Sequence, residues 1–261
     1  MTNRIRENIA KAEGRALNVY FTAGYPTIES IPTIISSLEN TGVDLIELGM
    51  PYSDPLADGL TIQKSSRVAL ENGLNLKILF NQVEEARKTA QIPIIMMGYF
   101  NQLLQFGVED FLQLASEKGV DGFIIPDLPM DIFERDYQSL FEKYKLTISF
   151  LISPMTSDER IRQADRLSSA FIYVVSQSSI TGKKGEISAE QKAYFERIEA
   201  MELKSPRLIG FGIHDNSSFE TACQFSDGAI VGSAFIRALA DSEDLAATTS
   251  SFIHSLKNKA I

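Results

Sequence analysis

"LNVYFTAGYPTIESIPTIISSLENTGVDLIELGM", residues 17–50, sets two β-rich apolar runs on either side of a stretch whose apolar residues recur at helical spacing. This reads as strand, helix, strand, a unit whose two strands run parallel because a helix crosses between them. Outward from it the pattern repeats. Further β-rich runs are "PIIMMGYF", "VDGFIIPDLP", "LTISFLISP", "AFIYVVSQ", "RLIGFGI" and "DGAIVGSAF", making eight in all. Helical patterns lie between them, among them "VEDFLQLASEKG", "MDIFERDYQSLFEKY", "DERIRQADRL" and "AEQKAYFERIEAM". Most of the strands are apolar on both faces, as a parallel sheet covered by helices requires. Gly42, Gly73 and Gly119 close helical runs as C-terminal caps.

Eight strand–helix repeats favour a closed (β/α)8 TIM barrel, an α/β fold, over an open doubly wound sheet. After the first strand, "FTAGYPTIES" lacks the spaced glycines of a dinucleotide-binding turn. No linker or low-complexity tract interrupts the chain, so residues 1–261 are expected to form one barrel domain. Residues 2–13 are predicted to form an extra N-terminal helix over one end of the barrel.

A formal charge of −9 argues against a nucleic-acid surface. The start "MTNRIRENIAKAEG" suits neither a secretory signal nor an acid-poor transit peptide, so a cytoplasmic protein is expected. Cys223 is the only cysteine, which rules out an intrachain disulfide and a cysteine zinc cluster; it reads as a buried helical packing residue. Two histidines, His214 and His254, supply neither a multi-histidine metal site nor a Ser-His-Asp arrangement.

Active groups in such barrels lie at the C-terminal ends of the strands. Glu47 is expected near the end of the second strand, Asp58 in the loop after it, Asp127 at the end of the fourth and Tyr173 near the end of the sixth. A carboxyl inside an apolar strand is costly unless it is paired or keeps its proton, so Glu47 reads as a general acid/base or as a structural group with a buried partner. Asp58, among more polar neighbours, is expected to stay ionised and accept a hydrogen bond. Asp54 before Pro55 reads as a turn former. Gly210 and Gly212 after the seventh strand and Gly232-Ser233 after the eighth would let backbone N–H groups approach a phosphate. Tyr20, Met97, Tyr99, Tyr173 and Phe211 could line a flat apolar pocket beside it.

"IELGMPYSDPLADG", residues 46–59, closely resembles the signature of the tryptophan synthase alpha subunits, and "TAGYP", "YFNQLLQFG", "PDLP", "GFGI" and "GSAF" extend the likeness over nearly the whole chain. The resemblance implies a (β/α)8 lyase that splits indole-3-glycerol phosphate into indole and glyceraldehyde 3-phosphate, in the last steps of L-tryptophan biosynthesis, without metal or organic cofactor. By the same likeness Glu47 is the acid/base that protonates the ring carbon, and Asp58 binds the indole N–H. Tyr173 stands beside the acid/base, and Thr181 and Gly182 belong to a closing loop. Gly212, Gly232 and Ser233 bind phosphate, while Tyr20, Met97, Phe211 and Ile230 form the indole wall. Also implied is an αββα heterotetramer with a pyridoxal phosphate-bearing beta subunit, touched by Asp54 and Pro55. Ser179 and Gln177 depart from the family pattern where glycine and a basic residue are usual, which implies a stiffer lid. Leu60 stands where proline is common, which bears on the stiffness of the Asp58 loop. The altered lid leaves a second reading, a weakly active regulatory subunit that binds glycerol phosphate ligands and activates its beta partner.

Overall fold

In the computed structural model, which describes residues 3–55, 58–176, 188–210 and 212–258, eight parallel strands close into a barrel in chain order. They are β1 (Ala16–Thr22), β2 (Leu45–Gly49), β3 (Ile94–Met97), β4 (Gly122–Ile124), β5 (Thr147–Ile152), β6 (Ile172–Val175), β7 (Arg207–Gly210) and β8 (Gly228–Val231). β1 pairs with both β2 and β8, so no edge is left open.

Alternation along the strands divides the core in two. Outward-facing Val19, Phe21, Ile46, Leu48, Ile94, Met96, Ile172 and Val174 join the helix layer in one apolar cluster. Inward-facing Leu45, Ile95, Ile124, Tyr173, Leu208 and Ile230 form a second cluster with Ile5 and Ile9. The helix Ser30–Asn40 shows why the opening stretch folds as it does: Ile31, Ile34, Ile35 and Leu38 fall on one face and are fully buried. Each such side chain contributes about 1.5–3 kcal/mol on burial.

The extra N-terminal helix is Arg4–Lys11, capped by the Asn3 side chain, which accepts from the Arg6 N–H. It closes the N-terminal end of the barrel with Ile5 and Ile9. Arg6 donates to the carbonyls of Ala170 (3.0 Å) and Ser168 (2.7 Å), and Asn8 to that of Asp44 (3.1 Å). At this end a repeated device fastens neighbouring strands. A residue one to three positions ahead of each even strand accepts a backbone N–H at or near the start of the odd strand before it. Asp44 accepts from Leu17, Asp121 from Ile94, Ser169 Oγ from Ile148 and Asp227 from Arg207, at 2.8–2.9 Å.

Asp121 also pairs with Arg87 (2.7 Å) and Arg4, with only 10% of its side chain and 12% of that of Arg87 exposed. Burial pulls the Arg87 guanidinium down to about 10. Removing one partner of a buried pair strands the other charge, so Asp121→Ala is expected to cost about 3–5 kcal/mol in chemical denaturation. The exposed pair Arg67–Glu71 is the control: Glu71→Ala should unfold at the parent's midpoint.

Two strand boundaries and one helix differ from the sequence expectation. Glu47 is the central residue of β2, not near its end, because β2 stops at Gly49. β4 ends at Ile124, short of Asp127, since Pro126 has no N–H to extend the ladder; a turn closes instead through Leu128 N–H to Ile125 O. The stretch 130–144 is helical but carries a π-helical section, Phe133–Tyr137, between Met130–Ile132 and Gln138–Lys143. Gly42, Gly73 and Gly119 all hold positive φ, as helix-ending glycines do. Cys223 ends the helix Asn216–Cys223 and is only partly buried. No helix among the described residues is long and apolar enough to cross a membrane.

Candidate active site

A cavity of about 300 Å³ opens at the C-terminal end of the strands. The strands and the loops after them supply its lining: Tyr20 from β1, Glu47 from β2, Met97 from β3, Tyr173 from β6 and Ile230 from β8. Asp58, Gly59 and Ile62 follow β2, Gly212 and Ile213 follow β7, and Gly232 and Ser233 follow β8. The barrel thus gathers two carboxyls, two phenols, an apolar wall and three glycines around one space.

Glu47 is 1% exposed. Burial pushes its carboxyl up to about 8, opposed by a hydrogen bond from Asn18 Nδ2 to Oε2 (3.1 Å) and reinforced by the charge of Asp58. Such a group holds its proton at neutrality and can donate it. Among the described residues no arginine ties it down, and the side-chain amide of Asn18 donates to it.

Asp58 is also raised by burial, while a hydrogen bond with Tyr99 holds it down. Its backbone is tethered by Gln63 Nε2, which donates to the Asp58 carbonyl at 2.8 Å. Leu60 opens the helix Leu60–Glu71 with its side chain 74% exposed, so the helix begins there without proline. The phenols of Tyr20 and Tyr173 are pushed well above their ordinary value, chiefly by burial, and next by the charge of Asp58 for Tyr20 and of Glu47 for Tyr173. Both stay neutral across the physiological range.

Two glycines hold the tyrosines in place. A Cβ on Gly49 would lie 2.1 Å from the Tyr20 hydroxyl, and one on Gly210 2.3 Å from that of Tyr173. Gly210 therefore makes room for a ring, a different task from the phosphate approach expected of it. Gly212, at φ +84° with open space where a side chain would be, does face the cavity. Gly232 precedes the helix Ser233–Leu239, whose first turn receives no side-chain cap.

Of the expected site residues, Glu47, Asp58, Tyr173, Gly212, Gly232, Ser233, Tyr20, Met97 and Ile230 meet in this cavity. Thr181, Gly182 and Phe211, like Gln177 and Ser179, lie outside the described residues. Asp54 is exposed and accepts from Ser53 Oγ (2.6 Å), in keeping with its turn; Asp127 accepts the Phe100 N–H (2.8 Å). His214 is a surface residue against the Gly212 carbonyl. The sequence reading missed Asn18, Gly59, Ile62 and Ile213. For Asn18 a signal existed: it shares inward parity with Tyr20, in an otherwise apolar run next to the strand of Glu47.

Fold and cavity together define a (β/α)8-barrel enzyme with two carboxyls, Glu47 and Asp58, in the cavity at the C-terminal end of its strands. The family model described as tryptophan synthase alpha chain matches residues 7–260, and the chain belongs to that family. It is 52% identical over 239 residues to the tryptophan synthase alpha chain of Flavobacterium psychrophilum, covering 92% of this chain and 94% of that one. Against the alpha chain of Christiangramia forsetii it is 49% identical over 255 residues, 98% of each. The crystal structure of tryptophan synthase subunit alpha from Legionella pneumophila matches with a TM-score of 0.87 at 32% identity over 98% of both chains. A chain of the tryptophan synthase complex from Pyrococcus furiosus matches at 0.84 and 30%, over 94% of this chain and 98% of that one.

Proposed function

We propose that this chain is the carbon–carbon lyase that splits indole-3-glycerol phosphate into indole and glyceraldehyde 3-phosphate by carboxylate acid/base catalysis, in the last steps of L-tryptophan biosynthesis. The observation that carries this reading is the Glu47 carboxyl, buried and proton-holding, facing a cavity that it shares with Asp58.

In the reaction, Glu47 gives its proton to the ring carbon that bears the glycerol side chain, and Asp58 accepts the indole N–H and balances the charge that the ring acquires. The carbon–carbon bond then breaks toward the ring, which regains its aromatic electrons as indole. The hydroxyl on the departing carbon loses its proton to Glu47 and becomes the aldehyde. Tyr20, Met97, Ile230 and Tyr173 hold the ring flat between the carboxyls. Phosphate is held by backbone N–H groups at Gly212, Gly232 and Ser233, which supply a local anion site on a chain of net charge −9. The scheme calls on no metal or organic cofactor in this chain.

Its setting is an αββα heterotetramer in the cytoplasm, with pyridoxal phosphate in the partner beta subunit that receives the indole. Asp54 and Pro55, in the loop after β2 at the same end of the barrel as the cavity, are the residues proposed to touch that partner. The deciding experiment is indole release from indole-3-glycerol phosphate by the purified chain, with and without a beta subunit. Release that rises on adding the partner is the expected result. Negligible turnover even in the complex would leave a regulatory subunit.

A further inference from the structure

Asn18 lies on β1 inside the barrel, in register with Leu45 of β2 and Ile230 of β8, and is fully buried. An apolar residue would fill this position at lower cost, since a buried amide must find partners for its donors and its acceptor. Among the described residues Asn18 finds one side-chain partner, Glu47 Oε2 at 3.1 Å, and its own Oδ1 has none. The two ends of an amide exchange on a half-turn of its side chain, and the hydrogen-bond network decides which end faces a neighbour. Facing Glu47 with Nδ2, the amide donates to a carboxylate. Facing it with Oδ1, the amide accepts from a carboxylic acid.

We infer that Asn18 is a positioning residue that holds the Glu47 carboxyl in both of its protonation states, turning its amide end for end as the proton leaves and returns. This rests on Glu47 being the acid/base. The bare Oδ1, which a static packing role leaves as pure cost, is then the acceptor for the second state. The other titratable groups that face Glu47 are Asp58 from the β2 loop, Tyr20 from β1 and Tyr173 from β6. β3 presents only Ile95 and Met97.

Two measurements test it. In Asn18→Leu, kcat for indole formation should fall about tenfold with KM nearly unchanged, because orientation of the acid is lost and substrate contacts are not. The alkaline limb of the pH–rate profile should also move up, by less than about one pH unit, because the N–H bond to the ionised form is stronger than the bond the amide accepts from the acid. An unchanged kcat together with a limb that stays in place would mean that Asn18 only packs. Should the leucine variant fail to fold, the parent answers alone. Its Asn18 side-chain amide resonances, assigned by their loss in Asn18→Ser, should titrate with a midpoint near that of Glu47, about 8, and be flat in Glu47→Gln. Resonances that ignore pH in the parent overturn the inference. If Glu47→Gln instead retains full turnover while the amide still titrates in the parent alone, the catalytic reading has failed and the Asn18–Glu47 link has not.

Discussion

Glu47→Gln is expected to lose about a hundredfold or more in cleavage rate while binding glycerol phosphate ligands almost as the parent does, because the amide keeps the shape and removes the proton. The same substitution should make the protein more stable, by an amount that depends on pH. Free in the unfolded chain the carboxyl ionises near 4.5, whereas in the barrel it ionises near 8. A raised folded-state value means that below about pH 4.5 both states hold the proton and burial carries no ionisation penalty. Between the two values unfolding releases a proton, so the parent loses stability as pH rises, up to a total on the order of 5 kcal/mol above about pH 8. Glutamine has no such slope. Urea denaturation at about pH 5 and about pH 9 should therefore find the gap between variant and parent widening at the higher pH. A constant gap would mean that Glu47 is not held protonated, and near-normal indole formation would remove it from the chemistry.

Gly232→Asp is expected to weaken glycerol 3-phosphate binding by about two to three orders of magnitude, because like charges about 4 Å apart at an effective dielectric near 20 repel by about 4 kcal/mol. Space adds to the charge: a Cβ here would already touch the Tyr20 ring at 3.2 Å. Gly232→Asn separates the two effects, since it adds the bulk without the charge. Calorimetric titration of both variants decides the matter. An aspartate variant that binds like the parent would move the phosphate elsewhere in the cavity.

The barrel was legible because two periodicities alternate cleanly, as residues 17–50 show in one unit. The strand limits were less so, since a strand ends where pairing ends: β2 closes at Gly49 and β4 at Ile124, and pairing is a property of neighbours. Among site residues, Glu47 stood out as a carboxyl in an apolar run. Asp58 and the cavity glycines needed the family signature or their place after strands to be noticed. Gly210 was misread because its missing side chain serves Tyr173, 37 positions earlier in the chain, a proximity that only β6–β7 pairing creates. Ile62 and Ile213 carried no signal, being ordinary apolar residues whose direction is set by how a helix and a loop settle on the barrel.

The aspartates and serine ahead of the even strands act like rivets, joining the barrel's staves two by two at the foot while the reacting groups stand at the rim. Rivets at one end leave the other free to be recut. Loops above β2, β7 or β8 could be exchanged for those of another catalyst without loosening the cask, whereas a graft that disturbs Asp44, Asp121, Ser169 or Asp227 would spring the staves however well the new rim were shaped.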